Sequence, residues 1–127
     1  MRSGVKIRTN KNGILQIGKN VGFNNNCLIN CMDSIKIGDN VIFGQSVKIY
    51  DHDHDCKKDG IIRNNGYMTA PIVINDNVWI GSNCVILKGT NIGSNCVIGA
   101  NTVVYGTIPD NSIVYSERKL KMKKRGD

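Results

Sequence analysis

From Ile74 onward the residues fall into consecutive blocks of six: INDNVW, IGSNCV, ILKGTN, IGSNCV, IGANTV and VYGTIP. Self-similarity at a fixed period restricts a chain to architectures that stack one unit on the next. Upstream, the runs beginning at Ile17 (IGKNVG, FNNNCL, IN) and at Ile37 (IGDNVI, FGQSVK, IY) keep the same local phase. The first position of each block is always apolar: Ile17, Phe23, Ile29, Ile37, Phe43, Ile49, Ile74, Ile80, Ile86, Ile92, Ile98 and Val104. The fifth is small or β-branched: Val21, Cys27, Val41, Val47, Val78, Cys84, Thr90, Cys96 and Thr102. These two rows predict one narrow core. The fourth holds Asn20, Asn26, Asn40, Asn77, Asn83, Gly89, Asn95 and Asn101, residue types that tolerate positive φ at a sharp corner. A short strand and a corner in every block give a triangular coil of about three blocks, and stacked coils give an all-β, parallel β-helix. An amphipathic α-helix would instead space its apolar residues by about 3.6.

The period breaks twice. A slip of two residues between Ile29 and Ile37, around CMDS, predicts a bulged corner. The second break is larger, with twenty-five residues from Ile49 to Ile74 where six would continue the coil. The intervening DHDHDCKKDGIIRNNGYMTAP is polar and carries Gly60, Gly66 and Pro71, so it reads as a loop extruded from the helix over about residues 51–71. Long loops on a rigid scaffold often carry function. Both histidines of the chain, His52 and His54, stand where the chain leaves the coil.

At 127 residues the chain is expected to form a single domain, residues 1–127. The net charge of +7 suits an anionic partner or a solvated basic face. Part of it sits in a short C-terminal segment, residues 116–127, which holds Arg118, Lys119, Lys121, Lys123, Lys124 and Arg125. That segment lacks interleaved aromatics and any nucleic-acid motif, so no nucleic-acid partner is expected. No apolar run reaches the roughly 18 residues that span a bilayer, and the first ten residues lack a signal-peptide core. A soluble, cytoplasmic protein without membrane insertion is expected. Five cysteines with no CxxC pair indicate neither a disulfide framework nor a cysteine zinc site. Cys27, Cys84 and Cys96 read as core residues.

The histidines admit two chemistries. An imidazole titrates near neutrality and can take a proton from an attacking hydroxyl. Histidines at i and i+2 of an extended segment also share a face and can ligate a metal, but a third ligand is needed and the chain has no further histidine. No metal site is expected.

The run PIVINDNVWIGSNCVILKGTNIGSNCVIGANTVV, followed by IPDNSIV, resembles the hexapeptide-repeat acyltransferases. It is nearest the galactoside and maltose O-acetyltransferase branch and its relatives in surface-polysaccharide biosynthesis, over roughly residues 17–115. The resemblance implies a left-handed β-helix and a homotrimer, with acetyl-CoA bound in active sites between subunits. It implies acetyl transfer to a hydroxyl of a sugar or polysaccharide without a covalent enzyme intermediate. N-acetylation of an amino sugar and a metal-dependent hydratase of the γ-carbonic anhydrase type are the alternatives on the same fold.

In that branch the catalytic histidine follows a Val-x-Ile or Val-x-Leu strand by five residues. Val47 and Ile49 match the strand, so His54 is the expected general base. His52 and Asp53 are expected beside the acceptor, as is Asn24 in GFNNNCL, which matches an Asn that meets the sugar. Trp79 is expected beside the thioester, with the Ser82 N–H facing its oxygen. Gly81 and Ala100 are expected along the pantetheine arm. The chain has NTVVYGT where relatives carry GSVVTKD, and YSERKLKM where they carry GNPARVI. Lys121 and Lys123 are therefore expected to meet the CoA phosphates from shifted positions.

Overall fold

The computed structural model describes residues 1–126. The chain is an all-β solenoid of about five turns, each turn contributing one short strand to each of three parallel sheets. The first coil is β1 (Lys6–Thr9), β2 (Ile14–Ile17) and β3 (Gly22–Phe23), and the second is β4 (Leu28–Cys31), β5 (Ser34–Ile37) and β6 (Ile42–Phe43). The third begins with β7 (Lys48–Tyr50), projects a hairpin of β8 (His52–His54) and β9 (Tyr67–Thr69), and resumes with β10 (Ile72–Ile74) and β11 (Val78–Ile80). The fourth is β12 (Val85–Ile86), β13 (Asn91–Ile92) and β14 (Cys96–Ile98). The fifth is β15 (Val103–Val104), β16 (Thr107–Ile108) and β17 (Ile113–Val114). The first face of the prism is β1-β4-β7-β12-β15, the second is β2-β5-β10-β13-β16, and the third is β3-β6-β11-β14-β17.

Register follows from the six-residue block. Ile7, Ile29 and Ile49 stand in one column of the first face, and Phe23, Phe43 and Ile80 in one column of the third. Of the twelve first-position residues only Ile17 is not buried, at 38% exposure, because it belongs to the end coil and nothing stacks below it. Every fourth-position Asn has φ between 56° and 61°, and Gly89 has φ 78°. Ser46 and Asn111 adopt the same left-handed corner, which extends the pattern by two positions. The corner amides also stack from coil to coil. Asn20 Nδ2 donates to Asn40 Oδ1 at 2.9 Å, and Asn77 Nδ2 donates to Asn95 Oδ1 at 2.8 Å.

The fifth-position row explains the cysteines. Cys27, Cys84 and Cys96 are buried, and each thiol donates to a carbonyl one coil further on, of Gly44, Gly99 and Pro109. The Thr90 and Thr102 hydroxyls donate instead within their own coil, to the carbonyls three residues back of Leu87 and Gly99, and Thr90 also reaches the Val104 carbonyl one coil further on. A small side chain with a donor fits this crowded position and leaves no buried polar group unpaired. Burial pushes the Cys84 thiol pKa up, as it does that of Cys31, where the nearby Asp51 carboxylate adds to the effect. Titration of the native protein with a thiol reagent is therefore expected to modify Cys56 alone, the one exposed free cysteine, with the other four reacting only after denaturation.

The first coil starts earlier than the period suggests, because Asn10–Gly13 lengthens one of its corners and hides the phase of Ile7 and Leu15. The slip around CMDS is a wider corner. Cys31 and Ile35 both turn inward beside Ile29 and Ile37, so this side of the coil carries two extra core residues.

Candidate functional site

The extruded segment is an ordered antiparallel hairpin, in which His52 pairs Thr69, Asp53 pairs Met68 and His54 pairs Tyr67. It leaves the prism at the edge between the first and second faces. Its root is closed by Ala70 N–H donating to the Asp51 carbonyl at 3.0 Å, and its middle by Asp55 N–H donating to Gly66 at 3.0 Å. A single 3-10 turn at Ile62–Asn64 shapes the tip.

Strand alternation puts His52 and His54 on one face of β8 and Asp53 on the other. Tyr67 lies against both histidines, with its ring 5.4 Å from that of His52 and edge-on, and 4.9 Å from that of His54 and tilted by 34°. Tyr50 meets His52 edge-on at 6.2 Å. The Asp53 carboxylate takes the Lys88 ammonium at 2.9 Å, on the side away from the histidines. Thus His52, His54 and Tyr67 are brought together and Asp53 is turned from them.

The two histidines differ in environment. His54 is exposed, and among the described residues its ring meets only that of Tyr67. The His52 side chain is 11% exposed, and its Nδ1 lies 3.1 Å from Asp51 Oδ1. Asp51 is wholly buried. Its carboxylate also accepts the Met32 N–H at 2.9 Å and the Asp33 N–H at 2.7 Å, which are the two residues of the widened corner one coil below. Burial pushes the Asp51 carboxyl pKa up, but hydrogen bonds from Met32, His52 and Asp33, together with the His52 charge, outweigh it. The net result is below the ordinary value of 3.8.

A depressed folded pKa stabilises the fold above the unfolded value and loses that contribution as pH falls through the folded one. The melting temperature is therefore expected to fall as pH drops below 3.8. The slope should be shallower in Asp51→Asn, and differential scanning calorimetry across acid pH checks it.

The remaining candidates lie along another edge, between the third and first faces. Here the residue after each third-face strand is Asn24, Gly44, Gly81, Gly99 and Tyr115 in successive coils. A Cβ on Gly81 would stand 2.6 Å from Ala100 N, and one on Gly44 would stand 2.6 Å from Ser82 N. Glycine is thus required by coil stacking itself. The structure brings Gly81, Ser82 and Ala100 together on this edge. Ser82 Oγ accepts the Gln45 N–H at 3.1 Å, and Asn101 N–H donates to the Ser82 carbonyl at 2.9 Å.

Asn24 heads the same edge at its N-terminal end, where it lines a cleft of about 210 Å³ with Arg2, Gly22, Phe23, Ile42 and Phe43. At the other end the Arg118 guanidinium donates to the Asn101 carbonyl, so the basic segment begins beside Ala100. Lys121 and Lys123 follow it, both exposed. Trp79 is 57% exposed on the third face, in an outward row with Ile42 and Val97. That face is opposite the edge from which the histidine hairpin leaves.

Sequence reasoning did not single out Tyr67 or the buried role of Asp51. Inward alternation from Ile49 carried the signal for Asp51, whereas Tyr67 comes to the histidines only through hairpin pairing. Among the described residues no three His, Cys, Asp or Glu side chains converge as a metal site, and no helix is long and apolar enough to cross a membrane.

Residues 71–106 match the family model described as bacterial transferase hexapeptide (six repeats). WbbJ of Escherichia coli strain K12, named for an O-acetyl transferase role in lipopolysaccharide biosynthesis, is 32% identical over 88% of this chain and 62% of its own length. The galactoside O-acetyltransferase of the same organism is 40% identical over 78% of this chain and 48% of its own length. A hexapeptide-repeat acetyltransferase of Vibrio cholerae O1 biovar eltor, solved with acetyl coenzyme A, superposes with a TM-score of 0.76 at 33% identity. It covers 90% of this chain and 63% of its own. The chain thus spans about half to two thirds of the length of these relatives. The repeat is thus matched in sequence over residues 71–106, and the stacked coils are matched in space by a hexapeptide-repeat acetyltransferase.

Proposed function

We propose that the protein moves an acetyl group from acetyl-CoA to a hydroxyl of a sugar or surface polysaccharide, working as a homotrimer. One observation carries the reading. The histidine hairpin leaves one edge of the prism, while Trp79 lies on the opposite face and Ser82 and Ala100 on another edge, so the two sets meet only if one chain's hairpin reaches a neighbour's edge. Relatives named as O-acetyltransferases and a neighbour holding acetyl coenzyme A support the choice of donor and acceptor. Five free thiols support a reducing, cytoplasmic setting.

In this reading His54 is the general base. Its imidazole takes the proton of the acceptor hydroxyl as the oxygen attacks the thioester carbonyl, the C–S bond breaks, and the proton passes to the departing thiolate. The Ser82 N–H stabilises the oxyanion. Trp79, Gly81 and Ala100 hold the pantetheine arm against the edge, and Lys121 and Lys123 meet the phosphates beyond Ala100. Asn24, at the far end of the same edge, and His52 of the hairpin contact the acceptor, which Asp53 meets from the other face of β8, beside Lys88. A second reading makes His52 the base, and its contact with the buried Asp51 carboxylate favours it.

Thiol release from acetyl-CoA against a panel of sugars and amino sugars tests the proposal. Release that depends on a sugar hydroxyl and yields an alkali-labile ester is expected. An alkali-stable amide formed only with amino sugars would replace it by N-acetylation, and no release with any acceptor would overturn the donor.

A further inference from the structure

Asp51 is a buried carboxylate that the step assigned to His54 does not use. An ionised carboxylate accepts hydrogen bonds and donates none, and this one is filled from three sides. Met32 N–H and Asp33 N–H come from the corner one coil below, at 2.9 and 2.7 Å, and the third partner is His52 Nδ1 at 3.1 Å. With only acceptor oxygens facing it, Nδ1 must carry the proton. In the neutral ring Nε2 is then left as a lone-pair acceptor.

The ring plane is fixed as well as the tautomer. Tyr67 and Tyr50 meet the His52 imidazole edge-on, at 88° and 86° between planes, so rotation about the bond to the ring would drive it into one or the other. His54, two residues on, has no carboxylate partner among the described residues. The wider corner at Met32 and Asp33 belongs to the same device. Both of their N–H groups turn toward the root of the hairpin and end on the Asp51 carboxylate.

We propose that Asp51 is a positioning residue, which ties His52 to the widened corner with its proton on Nδ1 and presents Nε2 as a hydrogen-bond acceptor to a second hydroxyl of the acceptor, beside the one that His54 deprotonates. The tautomer does not depend on the acetyl-transfer reading, and only the kinetic part of the test rests on it.

The first arm is nitrogen NMR of the histidine rings in ligand-free wild-type protein, at a pH where both imidazoles are neutral. His52 is expected to show a single tautomer protonated on Nδ1, while His54 shows the Nε2–H form that prevails in unconstrained imidazoles. A His52 signal protonated on Nε2, or averaged between tautomers, would overturn the proposal whatever the protein transfers. The second arm is kinetic, with Asp51→Asn, which keeps the side-chain size. The KM for the acceptor is expected to rise about tenfold, the loss of one charge-assisted hydrogen bond, while the KM for acetyl-CoA holds. An equal rise in both constants, or no change in a folded variant, would make Asp51 a structural brace only.

Discussion

His54→Ala is expected to lower kcat for acetyl transfer by about a hundred- to ten-thousand-fold, the range that removal of a general base produces. The fold should not register the change. His54 is exposed, and its only ring neighbour among the described residues is Tyr67, so stability should change by no more than about 0.5 kcal/mol, as for an ordinary surface substitution. The separation of the two effects is the diagnostic. His52→Ala should behave differently, because it strips a partner from the buried Asp51 carboxylate and therefore lowers stability as well as activity. Steady-state kinetics and thermal denaturation of the two variants side by side check both statements. A full loss of turnover in His52→Ala with high residual turnover in His54→Ala would move the base to His52.

Phe43→Ala should be among the most damaging substitutions in the core, costing about 3–5 kcal/mol. Phe43 is buried, and its ring stacks on that of Phe23 at 4.7 Å with the planes 1° apart. Its strand is pinned in register on both sides, to Gly22–Phe23 below and to Trp79–Ile80 above. The backbone of a stacked coil cannot close inward without breaking its pairing, so the cavity stays open and the loss is at the upper end for such a change. Because each coil contacts only its neighbours, the loss should be local at first. Hydrogen exchange is expected to show the two N-terminal coils opening ahead of coils four and five. The cleft beside Asn24 is lined by both phenylalanines, so acceptor binding should weaken before donor binding does. Uniform acceleration of exchange along the chain would contradict the nearest-neighbour picture.

Much of this architecture is written in the order of residues, for a physical reason. A β-helix repeats one local environment, so the crowding that selects Ile at one position and Asn at another recurs every six residues and adds up to a legible pattern. The burial of Ile74, Ile80, Ile86, Ile92 and Ile98 and the left-handed corners at Asn77, Asn83, Asn95 and Asn101 follow from it directly. The first coil is less legible because Asn10–Gly13 lengthens a corner and shifts the phase.

The site is legible only in pieces. His52 and His54 stand out by composition and by the break in period. Asp51 looks like one more acid in a polar run, and its burial depends on a corner eighteen residues earlier. Tyr67 reaches the histidines through antiparallel pairing across a twelve-residue excursion, a long-range relation with no periodic trace. The Lys88 partner of Asp53 is likewise invisible without the fold, since it comes from the next coil.

The proposed reaction carries an acetyl group from acetyl-CoA to a sugar oxygen directly. The most direct measurement follows isotopically labelled acetyl-CoA by NMR and mass spectrometry through a single turnover with an active acceptor. Label that moves from thioester to sugar ester, with the protein mass unchanged throughout and the transfer lost in His54→Ala, is the expected result. Label that accumulates on the protein, or that stays in the thioester with every sugar offered, would contradict it.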